Sequence, residues 1–217
     1  MLIVPGRPLL DKNRLVGRCT RLALRVDAEQ VRAELDTLPA HLWGSQGGRV
    51  GVHRPAQAVF LRGHAPAEGD KPVEDREALG WLPSLHALIH ERMQAPPLRC
   101  LLALLPGGAV ISPHVDQAPY FGQTIRIHVP ILTHAQVWMF SVDRSFHMAE
   151  GEVWALNNSN LHGVWNADPA RPRIHMICDF LPSRPLIDLL LAGERNLGVD
   201  EPAVRTRLFD ATGAPRA

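Results

Sequence analysis

The 217-residue sequence predicts a mostly β protein, a sandwich or jelly roll with flanking helices. Three observations predict it. Short apolar runs recur between residues 98 and 182, turn-forming residues separate them, and helical periodicity is confined to segments before and after that stretch.

The elements follow in order. Leu22, Leu24 and Val26 alternate with polar or small residues, as in a half-buried strand. Asp27 then opens a helix. Gln30, three residues on, completes a capping-box pattern, and Val31, Leu35 and Leu38 share one face until Pro39 ends it. Gly, Pro and short apolar runs from Trp43 to Gly69 read as strands and loops. A second short helix starts at Ser84, turns Leu85, Leu88 and Ile89 to the core, and is closed off by Pro96 and Pro97. Six strands are then predicted: Arg99–Leu105, Thr124–Leu132, Val137–Phe140, Glu152–Leu156, His162–Trp165 and Arg173–Leu181. Pro106-Gly107-Gly108, Asp143-Arg144-Ser145, Glu150-Gly151 and Asn157-Asn158-Ser159-Asn160 supply the turns between them. A helix over Pro185–Ala192 and a polar tail close the sequence. No shift in composition marks a boundary. The expectation is one domain over 1–217, with its β core at about 98–182, a mixed α/β segment over 1–97 and a short helical tail over 183–217.

Composition excludes several classes. With 46% hydrophobic residues the chain can bury a core, and its formal charge of +1 comes from interspersed acids and bases. No basic stripe points to nucleic acid and no apolar run reaches membrane-spanning length. Cys19, Cys100 and Cys178 are far apart and lack metal-site spacing, so they read as free thiols. The first residues turn polar too soon for a signal peptide, which makes a reducing, cytoplasmic setting the expectation.

The chemistry begins at His114-Val115-Asp116. On a strand, residues two apart point to one side, so these two side chains can grip one metal ion together. Alone the triplet is a weak signal. His162, after the Asn-rich turn, offers a third ligand from a distant strand. Two histidines and one carboxylate cap one face of an octahedron and suit non-haem iron(II); zinc prefers a closed tetrahedron. By spacing alone, a turn-capping role for His162 competes. The arginines add a further feature. Ile125, Ile127, Val129 and Ile131 share one strand face, while Arg126 and His128 share the other, aimed at water or an anionic ligand. Arg173-Ile174-His175 repeats part of this. A buried arginine needs an acid, and none neighbours Arg126 or Arg173 locally. Arginines on a solvated face account for the pattern as well as a dicarboxylate ligand does.

In this order the pieces resemble the aspartyl/asparaginyl β-hydroxylase family. They are Ile111-Ser112-Pro113-His114-Val115-Asp116, Arg126-Ile127-His128-Val129-Pro130, Met148-Ala149-Glu150-Gly151-Glu152-Val153-Trp154, His162-Gly163-Val164-Trp165-Asn166, Arg173-Ile174-His175 and Asp179-Phe180. The match runs from about Leu98 to Phe180. It implies a double-stranded β-helix fold and a hydroxylase that uses iron(II), 2-oxoglutarate and O2. It also implies metal ligation by His114 and His162, pairing of Arg173 with the far carboxylate of 2-oxoglutarate, and help from Arg126 and His128 in holding that cosubstrate. Asp116 stands where the animal members lack a metal carboxylate, so the chain resembles the proline-hydroxylase branch. A serine that lies near the cosubstrate in some animal members has no match before Pro106, and the C-terminal extension of some proline hydroxylases is reduced to the segment after Pro182. The implied substrate is an amino acid, free, peptidyl or carrier-bound, and thus a small molecule or a peptide. The polar-aromatic stretch Trp43, Arg49, His53, Arg54 and Arg62 is the candidate to frame it, with an ordinary loop and edge strand as the equal alternative. A cupin-type metal dioxygenase without 2-oxoglutarate would keep the triad without needing Arg173. A non-catalytic jelly-roll binding module would need neither.

Overall fold

A computed structural model describes residues 8–44, 52–65 and 72–216. The chain runs through α1 (Lys12–Leu15), β1 (Cys19–Arg25), α2 (Ala28–Leu35), a 3-10 turn at Ala40–Leu42 and β2 (Gln57–Arg62). Next come α3 (Glu77–Gly80) and α4 (Pro83–Ala87), which continues into a π-helical turn at Leu88–Arg92. The middle holds β3 (Pro97–Leu105), β4 (Val110–His114), α5 (Pro119–Gln123), β5 (Ile125–Leu132), β6 (Val137–Ser141), β7 (Arg144–Phe146), β8 (Glu152–Leu156), β9 (His162–Asn166) and β10 (Arg173–Phe180). The last elements are α6 (Arg184–Ala192), β11 (Glu194–Arg195) and α7 (Pro202–Leu208).

Among these residues the strands form two sheets, ordered β11-β1-β8-β5-β10-β3-β2 and β4-β9-β6-β7, with antiparallel neighbours throughout. This is the jelly roll expected from the strand pattern. Alternation along β5 decides its layers. Ile125, Ile127, Val129 and Ile131 are fully buried with Cys100, Leu102, Met176 and Cys178 against Val31, Leu85, Leu88 and Leu186 of the helices. The other face meets the smaller sheet, where Leu105, Trp154 and Leu156 pack on Val137, Met139 and Val164. Arg126 and His128, expected to face water or a ligand, are only 7% and 4% exposed. The large sheet is covered on both faces, so its polar residues are interior residues and need partners.

The segment before the core is part of the same sheet, since β1 pairs with β8 and β2 with β3. Helix α2 begins as its sequence predicts, with Asp27 Oδ1 accepting from the Gln30 amide at 3.0 Å. The reciprocal half of the capping box is not made, because the Gln30 side chain donates to Glu34 at 3.3 Å instead. Helices α1, α5 and α7 were not legible as periodicity, being four, five and seven residues long. Pro at the start of α5 and α7 was their one local signal. At the Glu150-Gly151 turn, Gly151 has φ +74°, and a Cβ there would lie 2.3 Å from the Val26 carbonyl oxygen. Glycine is required at that position on both counts.

Candidate metal centre

Strands β4 and β9 pair so that His114 and His162 are direct partners, with ring centroids 4.2 Å apart. The expectation that His114 and Asp116 share a strand needs correction. β4 ends at His114, and Asp116 lies in the following loop, where its amide donates to the Asn158 carbonyl at 3.0 Å. The turn brings the carboxylate back to the histidines. Ligand atoms of His114, Asp116 and His162 all lie within 4.8 Å of one another, and all three residues are buried. A second group, Asp75, His86 and His90, is exposed, and its carboxylate is already engaged by Arg62 at 2.6 Å.

The donor set fits an iron(II) ion. His114 Nδ1 bonds the Ser112 carbonyl at 2.8 Å and His162 Nδ1 bonds the Asn160 carbonyl at 2.9 Å. These bonds assign the proton to Nδ1 and the lone pair to Nε2 in both rings. Asp116 Oδ2 accepts from Arg126 Nη1 at 2.6 Å and Asn158 Nδ2 at 2.9 Å, while Oδ1 stands 3.9 Å from His114 Nε2. Two imidazole nitrogens and one carboxylate oxygen thus converge from one side, the facial arrangement that leaves coordination positions open.

A polar network sets the charge of this site. Arg126 Nε and Nη2 donate to Asp179 at 2.8 and 3.0 Å, and the Tyr120 hydroxyl donates to Asp179 at 3.2 Å. Lys12 Nζ donates to Asn158 Oδ1 at 2.6 Å. Burial alone would raise the Asp116 carboxyl, but Arg126, His162 and the Asn158 bond hold it well below its ordinary value. It is an anion at neutral pH. Burial, with His114 beside it, drives His162 down to about 3, so its imidazole is neutral at neutral pH. Burial and then Arg126 lower Lys12 to about 8.

The other polar group lies further along the same face. Arg173 is 3% exposed; its Nη2 meets His175 Nδ1 at 2.7 Å and Met139 Sδ at 3.8 Å, and its Nε has no hydrogen-bond partner among the described residues. Among the described residues no acid pairs with it. Burial lowers it to about 9, so it remains a cation at neutral pH. His128 and His175 stand beside it with rings 6.0 Å apart, each pushed well below its ordinary pKa by burial and then by Arg173.

Of the residues expected to frame the substrate, one reaches the centre. The His53 ring packs edge-on against His114 at 4.9 Å. Trp43 packs partly buried on the main core, and Arg62 is held by Asp75 and by the Pro97 carbonyl at 3.2 Å. Arg49 lies outside the described residues. Arg126, expected to help hold the cosubstrate, bonds Asp116 and Asp179. Sequence reasoning gave no role to Asp179, Asn158, Lys12 or Tyr120. Asp179-Phe180 stood among the matching pieces, and Asn158 was read as turn punctuation; Lys12 and Tyr120 carried no signal.

A jelly roll with a buried two-His-one-carboxylate triad defines a non-haem metal enzyme fold and site. The chain belongs to the aspartyl/asparaginyl β-hydroxylase family, whose sequence pattern matches residues 50–182, more than half its length. It is accordingly a hydroxylase of the kind that uses iron(II), O2 and 2-oxoglutarate. Among solved structures it is similar to an oxidoreductase of the 2OG-Fe(II) oxygenase family from Burkholderia pseudomallei. That match has 14% identity and a TM-score of 0.51 and covers 70% of this chain and 78% of the other. A prolyl-4-hydroxylase from Pseudomonas putida matches at 18% identity, covering 80% and 96%, with a TM-score of 0.45. The first of these likenesses bears on the fold.

Proposed function

We propose that this protein hydroxylates an amino acid, free or as a residue of a peptide or carrier-bound substrate, and releases succinate and CO2. In this reading His114, Asp116 and His162 hold iron(II), and Arg173 binds the far carboxylate of 2-oxoglutarate. The observation that carries it is Arg173, a cation 3% exposed with no acid beside it among the described residues. An unpaired buried guanidinium is costly, and a bidentate carboxylate is the ligand that relieves it. A cupin-type dioxygenase without 2-oxoglutarate has no use for such a residue. When bound, iron with 2-oxoglutarate and O2 supplies the oxidant that replaces a C–H bond by C–OH.

The chain's own residues do the rest. Asp116 lowers the charge of the metal site, and the carbonyls behind the two histidines fix their tautomer. His128, held neutral, lies on β5 opposite Ile177, between the levels of Arg173 and Asp179 on β10. Among the described residues neither of its ring nitrogens has a hydrogen-bond partner, which suits a polar contact to a bound ligand. The three triad residues are each no more than 8% exposed, so little of the site meets bulk water. The reading takes the chain as one domain, supported by the way β1, β2 and β11 complete the large sheet around the core. It includes a cytoplasmic setting, supported by three buried free cysteines, and no described helix is long and apolar enough to cross a membrane. The test is succinate release from 2-oxoglutarate by the iron-loaded protein, screened against amino acids and peptides. Release that ignores 2-oxoglutarate sinks the reading.

A further inference from the structure

Outside the buried centre the fold gathers a second set of metal-binding side chains. His86 lies in α4 and His90 in the π-helical turn that continues it. Residues four apart on a helix share a face, and two histidines so placed can grip one divalent ion. Their rings are 4.8 Å apart. Leu85, Leu88 and Ile89 are the residues this helix turns to the core, each fully buried, and His86 and His90 lie on the exposed side. Asp75 reaches the same point from the segment in front of α3. That segment is fixed to β2 by backbone bonds from the Arg76 amide to the Leu61 carbonyl at 2.8 Å and from the Gly63 amide to the Glu74 carbonyl at 2.9 Å. One ligand atom from each of Asp75, His86 and His90 lies within 4.8 Å of the other two.

The carboxylate is oriented for this role. Burial would raise Asp75, but the bond and charge of Arg62, with His90, hold it below its ordinary value. Arg62 Nη1 donates to Oδ1 at 2.6 Å, and His90 Nε2 stands 3.2 Å from Oδ1 and 3.1 Å from Oδ2. Arg62 thus occupies one oxygen and leaves the other to the histidines. Arg126 divides the oxygens of Asp116 in the same way. A tetrahedral zinc ion with bonds of about 2.0–2.2 Å holds its ligand atoms about 3.3 Å apart, so the His90–Asp75 spacing suits two ligands of one ion. A plain hydrogen bond between His90 and Asp75 gives the same distance but has no use for His86. The donors are those of the triad, yet the setting is different. The triad is buried, whereas this group is exposed and open to water. A site of this kind is filled according to affinity, and zinc(II) ranks above iron(II) for nitrogen and oxygen donors.

We propose that Asp75, His86 and His90 form a second metal site, which takes a divalent ion of the zinc class with water as its fourth ligand. The ion joins the 74–76 segment beside β2 to the end of α4 and closes the chain from Asp75 to His90 around α3. Arg62 also donates to the Pro97 carbonyl at 3.2 Å, so the clamp extends to the start of β3. Its role is structural. It stabilises this edge of the large sheet and takes no part in the chemistry at His114, Asp116 and His162. The proposal stands independently of the 2-oxoglutarate reading.

The test uses the full chain, stripped of metal with a chelator, and zinc(II) alone as the probe. Zinc retained after desalting is counted in wild type, in His86→Gln/His90→Gln, in His114→Gln/His162→Gln and in the chain with all four substitutions. The first pair removes the proposed site and the second removes the triad. Wild type should hold one equivalent more than His86→Gln/His90→Gln. The His114→Gln/His162→Gln chain should hold one equivalent and the fourfold variant none. Asp75→Asn should weaken zinc binding at the exposed site about tenfold or more, the least that even a partner behind a ligand typically contributes. Thermal unfolding reads the clamp itself. Zinc at about a hundred times its dissociation constant should raise the midpoint of the His114→Gln/His162→Gln chain by about 5–10 °C and leave that of the fourfold variant unchanged. Equal zinc in wild type and His86→Gln/His90→Gln overturns the proposal. So does equal zinc in the triad variant and the fourfold variant, or a midpoint of the triad variant that zinc does not move. Should the triad variant fail to fold, wild type against His86→Gln/His90→Gln still decides the matter by one equivalent, because both of those histidines are exposed and their replacement spares the core.

Discussion

Arg126 joins Asp116 to Asp179, donating Nη1 to the first at 2.6 Å and Nε and Nη2 to the second at 2.8 and 3.0 Å. The Asp116 carboxylate is thus held by a cation that is itself fixed by another carboxylate. The two oxygens of Asp116 become inequivalent, one bound to the protein and the other turned toward His114 and His162. This fixes the orientation of Asp116, and it keeps the carboxylate ionised despite burial.

Asp179→Asn tests the fixed end of that chain. It removes the bidentate partner and leaves the buried Arg126 charge to Asp116 alone. Breaking a buried pair from one side costs about 3–5 kcal/mol. Denaturant unfolding of the metal-free protein should show a loss of that order. The double variant Arg126→Met with Asp179→Leu should recover much of it, because no charge is then stranded. A single-variant loss under about 1 kcal/mol would mean the pair is dispensable.

Asp116→Ala tests the ligand end. The side chain contributes charge and geometry to the metal and nothing to an apolar cluster, so the fold should survive, with Arg126 still on Asp179. Iron retained after desalting should fall, and turnover at limiting iron should fall with it. The loss is expected to be partial, since two histidines remain. Wild-type activity at limiting iron would remove Asp116 from the ligand set.

Lys12 gives a pH dependence whose sign follows from its environment. Burial and Arg126 lower it from 10.5 to about 8 in the folded state. Below pH 8 both states bind the proton, and folding carries the whole cost of burying the charge. Between about 8 and 10.5 the unfolded chain binds more protons than the folded one, so the Lys12 contribution to stability rises with pH. Lys12→Met removes that gain. The stability of wild type minus that of the variant should increase by up to about 3 kcal/mol across this window, from the 1.36 kcal/mol per pKa unit. Parallel curves from pH 7 to 10.5 contradict the placement of a charged Lys12 behind Asn158.

The sequence showed what repeats at short range. The Ile125–Ile131 alternation specified which face of β5 is buried under helices, because side chains two apart share a face. The His114, Asp116 and His162 trio was legible because its chemistry is restrictive even when its spacing is not. What escaped depended on distant partners. Nothing near Arg126 announces Asp179, 53 residues on, and nothing near Asn158 announces Lys12, 146 residues before it. The face of Arg126 and His128 was read as open because one strand cannot reveal a second sheet above it. Trp43 and Arg62 have the composition of a binding segment, and the fold uses one for core packing and the other for an ion pair with Asp75.

Arg173 carries the cosubstrate reading and is tested in two ways that must agree. Arg173 lies at the far end of β10 from Asp179, with His175 and His128 beside it, and burial alone lowers it to about 9. At neutral pH it is charged, and among the described residues no acid offsets it, so the free protein bears the desolvation cost. A bound carboxylate converts that cost into a charge-assisted pair worth roughly 1.5–3 kcal/mol net. In Arg173→Ala the apparent KM for 2-oxoglutarate should therefore rise about tenfold or more. Arg173→Lys should be impaired as well, since a point charge cannot make the two parallel bonds of a guanidinium. The second measurement is thermal unfolding of ligand-free Arg173→Met, a closer match in volume. It should be at least as stable as wild type, and the stabilisation that 2-oxoglutarate gives wild type should be absent. An unchanged KM for Arg173→Ala, or a large destabilisation of Arg173→Met without ligand, would make Arg173 a structural residue and leave the triad as a metal site without a cosubstrate anchor.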